Sequence, residues 1–485
     1  MDLDNTPHDS GLRQRVLSGL RWSAGARFLA QLITWAITII VVRLLTPDDY
    51  GLMALAMVFI GFLTMLNEMG FGAAIIQMRD MDTATLQNIF GFLLMANFLL
   101  FLTTLTTAPL IAAFFDEHRL ESILRVLSVQ FMVIPFGVIP QSLIDRDMLF
   151  SKRAIIELTA SLTGSVMTLL LALNGFGVWA LIWGSLSLSM CRTVGLNMVC
   201  PYFSTPRLSF QNMRNVISFG GYVTLTRIIW FCFVQADIFI VGKILGKERL
   251  GYYSVAKNLA SLPMDKIAGI INQVALPAFS EVQSDPQWSA ALCLKGVRVM
   301  SFLAFPILWG ISSVGHELIA IFLGPRWYTA AIPFQLMALV VPLRMVANLL
   351  EPAVLGIGRP EISFYNVLFA FGIMGPCIAI ATHWGIVGVS VTWVTVYPLV
   401  ITRNFSRIAT ALNIRFRDLL LAMAKPAFAA SLMYASVMAV KGLFGFDADS
   451  VASLVMLVIV GSAVYSLFLL TLHREGCREV LELIH

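Results

Sequence analysis

The chain is 485 residues long, 58% hydrophobic and only 13% charged, with a mean hydropathy of +0.83. So few polar groups cannot cover a water-soluble surface, so the composition excludes a soluble globule and places the chain in a bilayer. The formal net charge of +5 is spread over loops between apolar runs, without the soluble basic face or aromatic platform that nucleic-acid binding needs.

A helix crosses about 30 Å of hydrocarbon with about 20 apolar residues. In chain order, such runs fall near 22–45, 50–76, 88–113, 122–144, 154–173, 177–199, 215–243, 250–276, 296–315, 331–355, 361–382, 386–402, 425–441 and 451–472. The expected fold class is an all-α polytopic membrane protein with about 14 transmembrane helices. Pro135 and Pro140 interrupt the fourth run, and Pro398 the twelfth. The longest stretches outside the runs, 277–295 and 403–424, are short and partly amphipathic, so no soluble domain is expected.

Short loops rich in Lys and Arg stay cytoplasmic. With the N-terminus inside, Arg13, Arg15, Arg21, Arg146, Lys152, Arg153, Arg207, Arg214, Arg403, Arg407, Arg415, Arg417 and Lys425 all fall on the cytoplasmic side. The outer side then keeps TPDD at 46–49, FFDEH at 114–118, Asp447 and Asp449. About 19 basic residues inside against about 5 outside predict that both termini are cytoplasmic.

Residues 27–56 lie over 227–256 without a gap. Arg27 pairs with Arg227, Ala36 with Ala236, Ile40-Val41 with Ile240-Val241, Leu45 with Leu245, Gly51 with Gly251 and Ala56 with Ala256. Both copies run from a long apolar segment through a short polar turn into a second apolar segment. An even number of helices separates them, which predicts two parallel six-helix repeats, 15–200 and 210–410, with the transport cavity between them. A C-terminal helix pair at 425–472 follows, flanked by cytoplasmic tails at 1–14 and 473–485. Duplicated bundles of this kind are the mark of a transporter.

Other readings find little support. MDLDNTPHDS is acidic where a secretory signal starts basic, so the first helix is expected to stay as an anchor. The six cysteines are scattered without CxxC spacing, and neither His118 nor His316 has an acid at triad spacing, so no metal, cofactor or catalytic residue is expected. The GxG strings at Gly70 and Gly72, Gly175 and Gly177, and Gly356 and Gly358 lack a strand-to-helix context and read as turns and packing glycines.

RLLTPDDYGLMALA, MGFGAAIIQ, IPQSLIDRDMLF, DIFIVGKILGKERLGYYSVAKNLASLP, ALPAFSEVQSDPQW and LGPRW follow one another over residues 15–410. Together they resemble the bacterial polysaccharide transporter family, the Wzx-like flippases of the multidrug, oligosaccharidyl-lipid and polysaccharide exporter superfamily. The likeness is greatest over 237–263 and to the colanic-acid and xanthan type. The resemblance implies an inner-membrane protein that moves an undecaprenyl-diphosphate-linked oligosaccharide repeat unit to the periplasmic leaflet for exopolysaccharide or lipopolysaccharide synthesis. A polysaccharide polymerase and a chain-length regulator are its implied partners, besides membrane lipids.

Such a substrate needs a wet, cationic cavity, and charges at helix centres, which cost about 2.5–3.5 kcal/mol each, gather at cavities or pair. The first helix carries Arg27, Gln31, Thr34 and Thr38 on one face. Arg227 is the repeat counterpart of Arg27. The eighth helix has Asn258, Ser261 and Asp265 on one face, with Lys257 and Lys266 beside it. The tenth offers Arg344, Asn348 and Glu351 at i, i+4 and i+7. Expected substrate contacts are Arg27, Gln31, Thr34, Thr38, Arg227, Lys257, Lys266, Arg344 and Asn348. Glu68, Asp237, Asp265 and Glu351 are expected as ion-coupling groups or counter-ions. Alternative readings are a multidrug or small-molecule antiporter on the same superfamily fold and, more distantly, an integral-membrane polymerase or acyltransferase. An antiporter site should be more apolar and acidic than this basic set.

Overall fold

In the computed structural model, residues 31–67, 75, 83–208, 213–281, 286–445 and 447–472 are described, and no β-strand occurs among them. Fourteen helices follow in chain order. They are α1 Gln31–Leu44, α2 Pro47–Asn67, α3 Thr83–Phe115, α4 in the three pieces His118–Leu127, Gln130–Val133 and Pro135–Arg146, α5 Phe150–Leu173 and α6 Val178–Val199. A helical stretch Met213–Glu281 is broken at Gly246 into α7 and α8. Then come α9 Pro286–Ser313, α10 Ala331–Gly356, α11 Pro360–Ala381, α12 Gly385–Ala411, α13 Phe416–Phe444 and α14 Val451–Leu472. The expected all-α polytopic class holds. Among the described residues, nine helical segments are long and apolar enough to cross a membrane, ten with the bent α4 as one span.

The helices overrun the apolar runs where the flanking chain can keep its backbone hydrogen bonds by continuing the helix. The expected loop at 46–49 shrinks because Pro47 opens α2 and Asp48 and Asp49 occupy its first turn, where the helix dipole favours acids. Most of 277–295 and 403–424 is also helical, as the ends of α8 and α12 and the starts of α9 and α13. Pro135 bends α4 by 47°, whereas α12 runs through Pro398. At Gly246 the backbone turns to φ 80°, a conformation that favours glycine.

The chain divides into two compact units. The first holds α1 and α3–α6. Its tightest contact is α5 on α6, where a Cβ on Gly164 would lie 2.8 Å from the Leu188 Cβ and 2.9 Å from the Gly184 carbonyl oxygen. Small residues let two backbones approach this closely, the usual basis of helix association in lipid. Arg192 on α6 pairs with Glu157 on α5 at 2.7 Å and reaches Gln141 on α4 at 3.3 Å.

The second unit holds α2 and the chain from Gly221 onward. Thus α2 packs with the later helices, although it belongs to the first copy of the repeat. Trp327, in the LGPRW string, is wholly buried and stands edge-on to Tyr50 of α2 and Tyr252 of α8, with ring centroids 5.5 and 5.8 Å away. The added pair α13–α14 is tied to the segment before α10. Lys441 donates to Glu317 and to the Ser313 carbonyl, both at 2.6 Å, and Tyr328 donates to Asp449 at 2.8 Å.

Candidate functional site

Asp237 on α7 and Lys257 on α8 stand nine and eleven residues from the Gly246 break. At 1.5 Å per residue they lie about 14 and 16 Å from the turn, so a hairpin brings them level. Lys257 Nζ donates to both Asp237 carboxylate oxygens at 2.7 and 2.9 Å and to the Val234 carbonyl at 2.9 Å. Its three N–H groups are thereby matched. The Tyr253 hydroxyl donates to Asp237 Oδ2 at 2.7 Å and accepts from Trp393 Nε1 of α12 at 3.1 Å. The Ile238 N–H adds a bond to Asp237 Oδ1 at 2.7 Å. This buried pair has the full set of hydrogen bonds that a desolvated charge requires.

Arg344 on α10 sits with its guanidinium carbon 5.4 Å from the centre of the Trp393 ring. Trp393 in turn packs against Tyr397 and Phe233 at 5.4 and 6.0 Å. Among the described residues Arg344 has no acid partner. Its charge is held by an aromatic face, worth about 0.5–2 kcal/mol, and is open to further contacts. Arg344, Asn348 and Glu351 are all half-buried and line one cavity of about 130 Å³. Ser363 and Asn366 of α11 and Tyr397 and Asn404 of α12 complete its polar lining, and Trp230 and Phe233 of α7 close an apolar side.

The expected residues are thus divided. Arg344, Asn348 and Glu351 share a cavity, as their helical spacing implied. Lys257 and Asp237 are committed to each other, and the buried Lys257 points away from the exposed Asn258. Arg227 is exposed on α7. In the first unit Gln31 and Thr34 are half-buried and Thr38 is exposed, its hydroxyl donating to the Thr34 carbonyl at 2.8 Å. Arg27 and Glu68 lie outside the described residues, as do the side chains of Asp265 and Lys266.

Sequence reasoning missed Asn366, Asn404, Tyr253 and Trp393. Asn366 is a lone amide in an apolar run, and the criterion applied to charges would have found it; Asn404 stands beside Arg403 in the stretch 403–424, which reads as lying outside the apolar runs. Tyr253 and Trp393 carried no such signal, because aromatic residues are common in any membrane helix.

The model of a family described as polysaccharide biosynthesis protein matches residues 40–332, more than half of the chain. The chain belongs to the polysaccharide biosynthesis protein family. The lipopolysaccharide biosynthesis protein WzxC of Escherichia coli K12 is 25% identical over 86% of this chain and 85% of its own length. The succinoglycan biosynthesis transport protein ExoT of Rhizobium meliloti is 23% identical over 92% of this chain and 90% of its own. Among solved structures, the lipid II flippase MurJ in an inward closed conformation superposes with a TM-score of 0.72 at 12% identity, over 91% of this chain and 97% of that one. That likeness is one of fold. This member of the polysaccharide biosynthesis protein family is a multi-pass membrane protein, in which the RLLTPDDYG and LGPRW strings supply the close-packed Gly51 and the buried Trp327.

Proposed function

We propose that this protein translocates undecaprenyl-diphosphate-linked oligosaccharide repeat units across the bacterial inner membrane by alternating access, in the synthesis of an exopolysaccharide or lipopolysaccharide. Relatives named for polysaccharide biosynthesis and transport over most of their length support the reading. The observation that carries it is Arg344: a guanidinium in a membrane-spanning helix, lining a cavity, with no carboxylate among the described residues pairing with it. A fixed planar cation of this kind suits two oxygens of a phosphate at once. Asn348 beside it supplies a neutral donor, and Trp393 holds the guanidinium from behind.

In this proposal the chain acts as a transporter and not as an enzyme, with both termini cytoplasmic and a polysaccharide polymerase and chain-length regulator as partners. Arg227 and Lys266 are further proposed phosphate contacts in the second unit. The polar stripe of Arg27, Gln31, Thr34 and Thr38 is proposed as the sugar-lining surface of the first. Lys257 is proposed to act through Asp237 and not through substrate.

The test is deletion of the gene in its own host. Lipid-linked repeat units should accumulate in the cytoplasmic leaflet while their synthesis continues. Normal periplasmic delivery in a strain holding no second flippase would overturn the substrate assignment.

A further inference from the structure

Two arginines of α12 rest on two aromatic rings of α11. The Arg403 guanidinium carbon stands 3.8 Å from the centre of Phe369, and that of Arg407 stands 5.7 Å from the centre of Tyr365. The pairs keep register along antiparallel helices: Arg407 and Arg403 come four and eight residues before the end of α12 at Ala411, and Tyr365 and Phe369 five and nine residues after the start of α11 at Pro360. The cavity takes Tyr397, Ile401, Asn404 and Ile408 from α12. At 3.6 residues per turn, Arg403 and Arg407 project about a quarter turn or more from that face.

At 1.5 Å per residue the two arginines lie about 6 and 12 Å from the end of α12, a helix of about 40 Å. A bilayer holds about 30 Å of hydrocarbon within about 40–45 Å in all, so Arg407 is level with the headgroup boundary and Arg403 a turn below it. Neither guanidinium has a carboxylate partner among the described residues. Arg407 donates to Asn366 Oδ1 at 3.4 Å, and Arg403 Nη1 is buried with no acceptor. Buried donors are nearly always paired, and a charge below the headgroups is costly unless an opposite charge meets it. A stacked ring covers one face of a guanidinium and leaves its in-plane N–H groups for an anion.

The surroundings suit an amphiphile. Thr402, Ser406 and Thr410 are exposed beside the arginines, while deeper along the helices the exposed residues Leu399 and Phe371 are apolar. Arg359, Arg415 and Arg417 in the adjoining turns are exposed as well, against Glu361 and Asp418, so residues 356–420 carry five basic groups to two acidic ones. We propose that this end of the α11–α12 pair binds the phosphate of an anionic phospholipid, with Arg403 and Arg407 as its cationic contacts and its acyl chains along Leu399 and Phe371. The basic surplus disfavours a headgroup that brings a cation of its own. In the orientation proposed above, the lipid belongs to the cytoplasmic leaflet. It is a resident of the membrane and not the transported molecule, and its site is distinct from the Arg344 cavity.

The test follows thermal unfolding of the purified full-length protein by tryptophan fluorescence in detergent micelles doped with dioleoylphosphatidylglycerol, at fixed ionic strength. A ligand of the folded state raises Tm in a saturable way. The rise should be absent with dioleoylphosphatidylcholine and with inorganic phosphate. Arg403→Gln should raise the half-saturating mole fraction about tenfold, the effect of losing one charge-assisted bond, and the double variant Arg403→Gln/Arg407→Gln should lose the response. Phe369→Leu, which keeps both charges and removes a brace, should weaken it and guards against a double variant that fails to fold. Arg415→Gln/Arg417→Gln, which changes net charge equally in the adjoining turn, should leave it intact. Equal responses to the two phospholipids, a loss in the loop variant equal to that in the helix variant, or a wild-type response in Phe369→Leu overturns the proposal. So does a rise with inorganic phosphate alone, or one with farnesyl diphosphate where phosphatidylglycerol gives none, which would assign the arginines to a soluble anion or to the transported lipid.

Discussion

Gly51 and Gly251 meet reciprocally where α2 crosses α8. A Cβ on Gly51 would overlap the Lys247 carbonyl oxygen, and a Cβ on Gly251 would overlap the Pro47 carbonyl oxygen. Lys247 is the counterpart of Pro47 in the internal repeat, as Gly251 is of Gly51, so each copy offers the other the same glycine and the same carbonyl. The neighbouring Asp48 and Lys247 side chains pair at 3.6 Å.

Because the obstacle is backbone, it cannot yield by a rotamer change. Gly51→Ala and Gly251→Ala should each lower stability by about 1–3 kcal/mol, the usual cost of overpacking. Thermal midpoints in detergent check this, with Gly442→Ala, whose Cβ meets nothing within 4 Å, as the neutral control.

If α2 and α8 separate during transport, tethering them should stop it. Asp48→Cys with Lys247→Cys, joined by a short bifunctional thiol reagent in a background lacking the native cysteines, should block polysaccharide export. A cleavable linker should restore export on reduction. Full export by the cross-linked protein would show that this crossing stays closed throughout the cycle.

Asp237 and Lys257 are predicted to behave as a structural pair. Lys257→Met or Asp237→Leu alone leaves an uncompensated buried charge and should cost about 3–5 kcal/mol, read as lost folded protein on size-exclusion chromatography. The double variant should recover abundance. Recovery of abundance without recovery of export would give the pair a role in transport as well.

Arg344→Gln should do the reverse. Removing a charge that has no acid partner among the described residues relieves an insertion cost of about 2.5–3.5 kcal/mol on translocon scales, so protein levels should hold while export falls at least tenfold. Arg344→Lys should restore part of it, since lysine keeps the charge and loses the planar fork. Polysaccharide at the cell surface, normalised to protein in the membrane, is the readout.

Single cysteines in a cysteine-free background test the orientation. A membrane-impermeant thiol reagent should label Thr46→Cys and Asp449→Cys in intact spheroplasts, both exposed positions, and reach Lys152→Cys and Arg417→Cys, also exposed, only after lysis. The opposite pattern would invert the topology.

Hydrophobicity and its interruptions were enough to read the helix number, order and all-α class from the sequence, because a backbone in hydrocarbon must satisfy its own hydrogen bonds and has few ways to do so. Helical spacing likewise put Arg344, Asn348 and Glu351 on one face, since three residues within two turns of one helix have their mutual geometry set locally. The sequence could not say which charges are spoken for. Lys257 and Asp237 look alike in kind to Arg344 and Glu351, and only the α7–α8 hairpin joins the first two. Asn366, Asn404 and Trp393 enter from two other helices, and their positions depend on how α10, α11 and α12 pack. Charge identity is a property of the residue, whereas pairing and burial belong to contacts between segments distant in the chain, which only the tertiary structure decides.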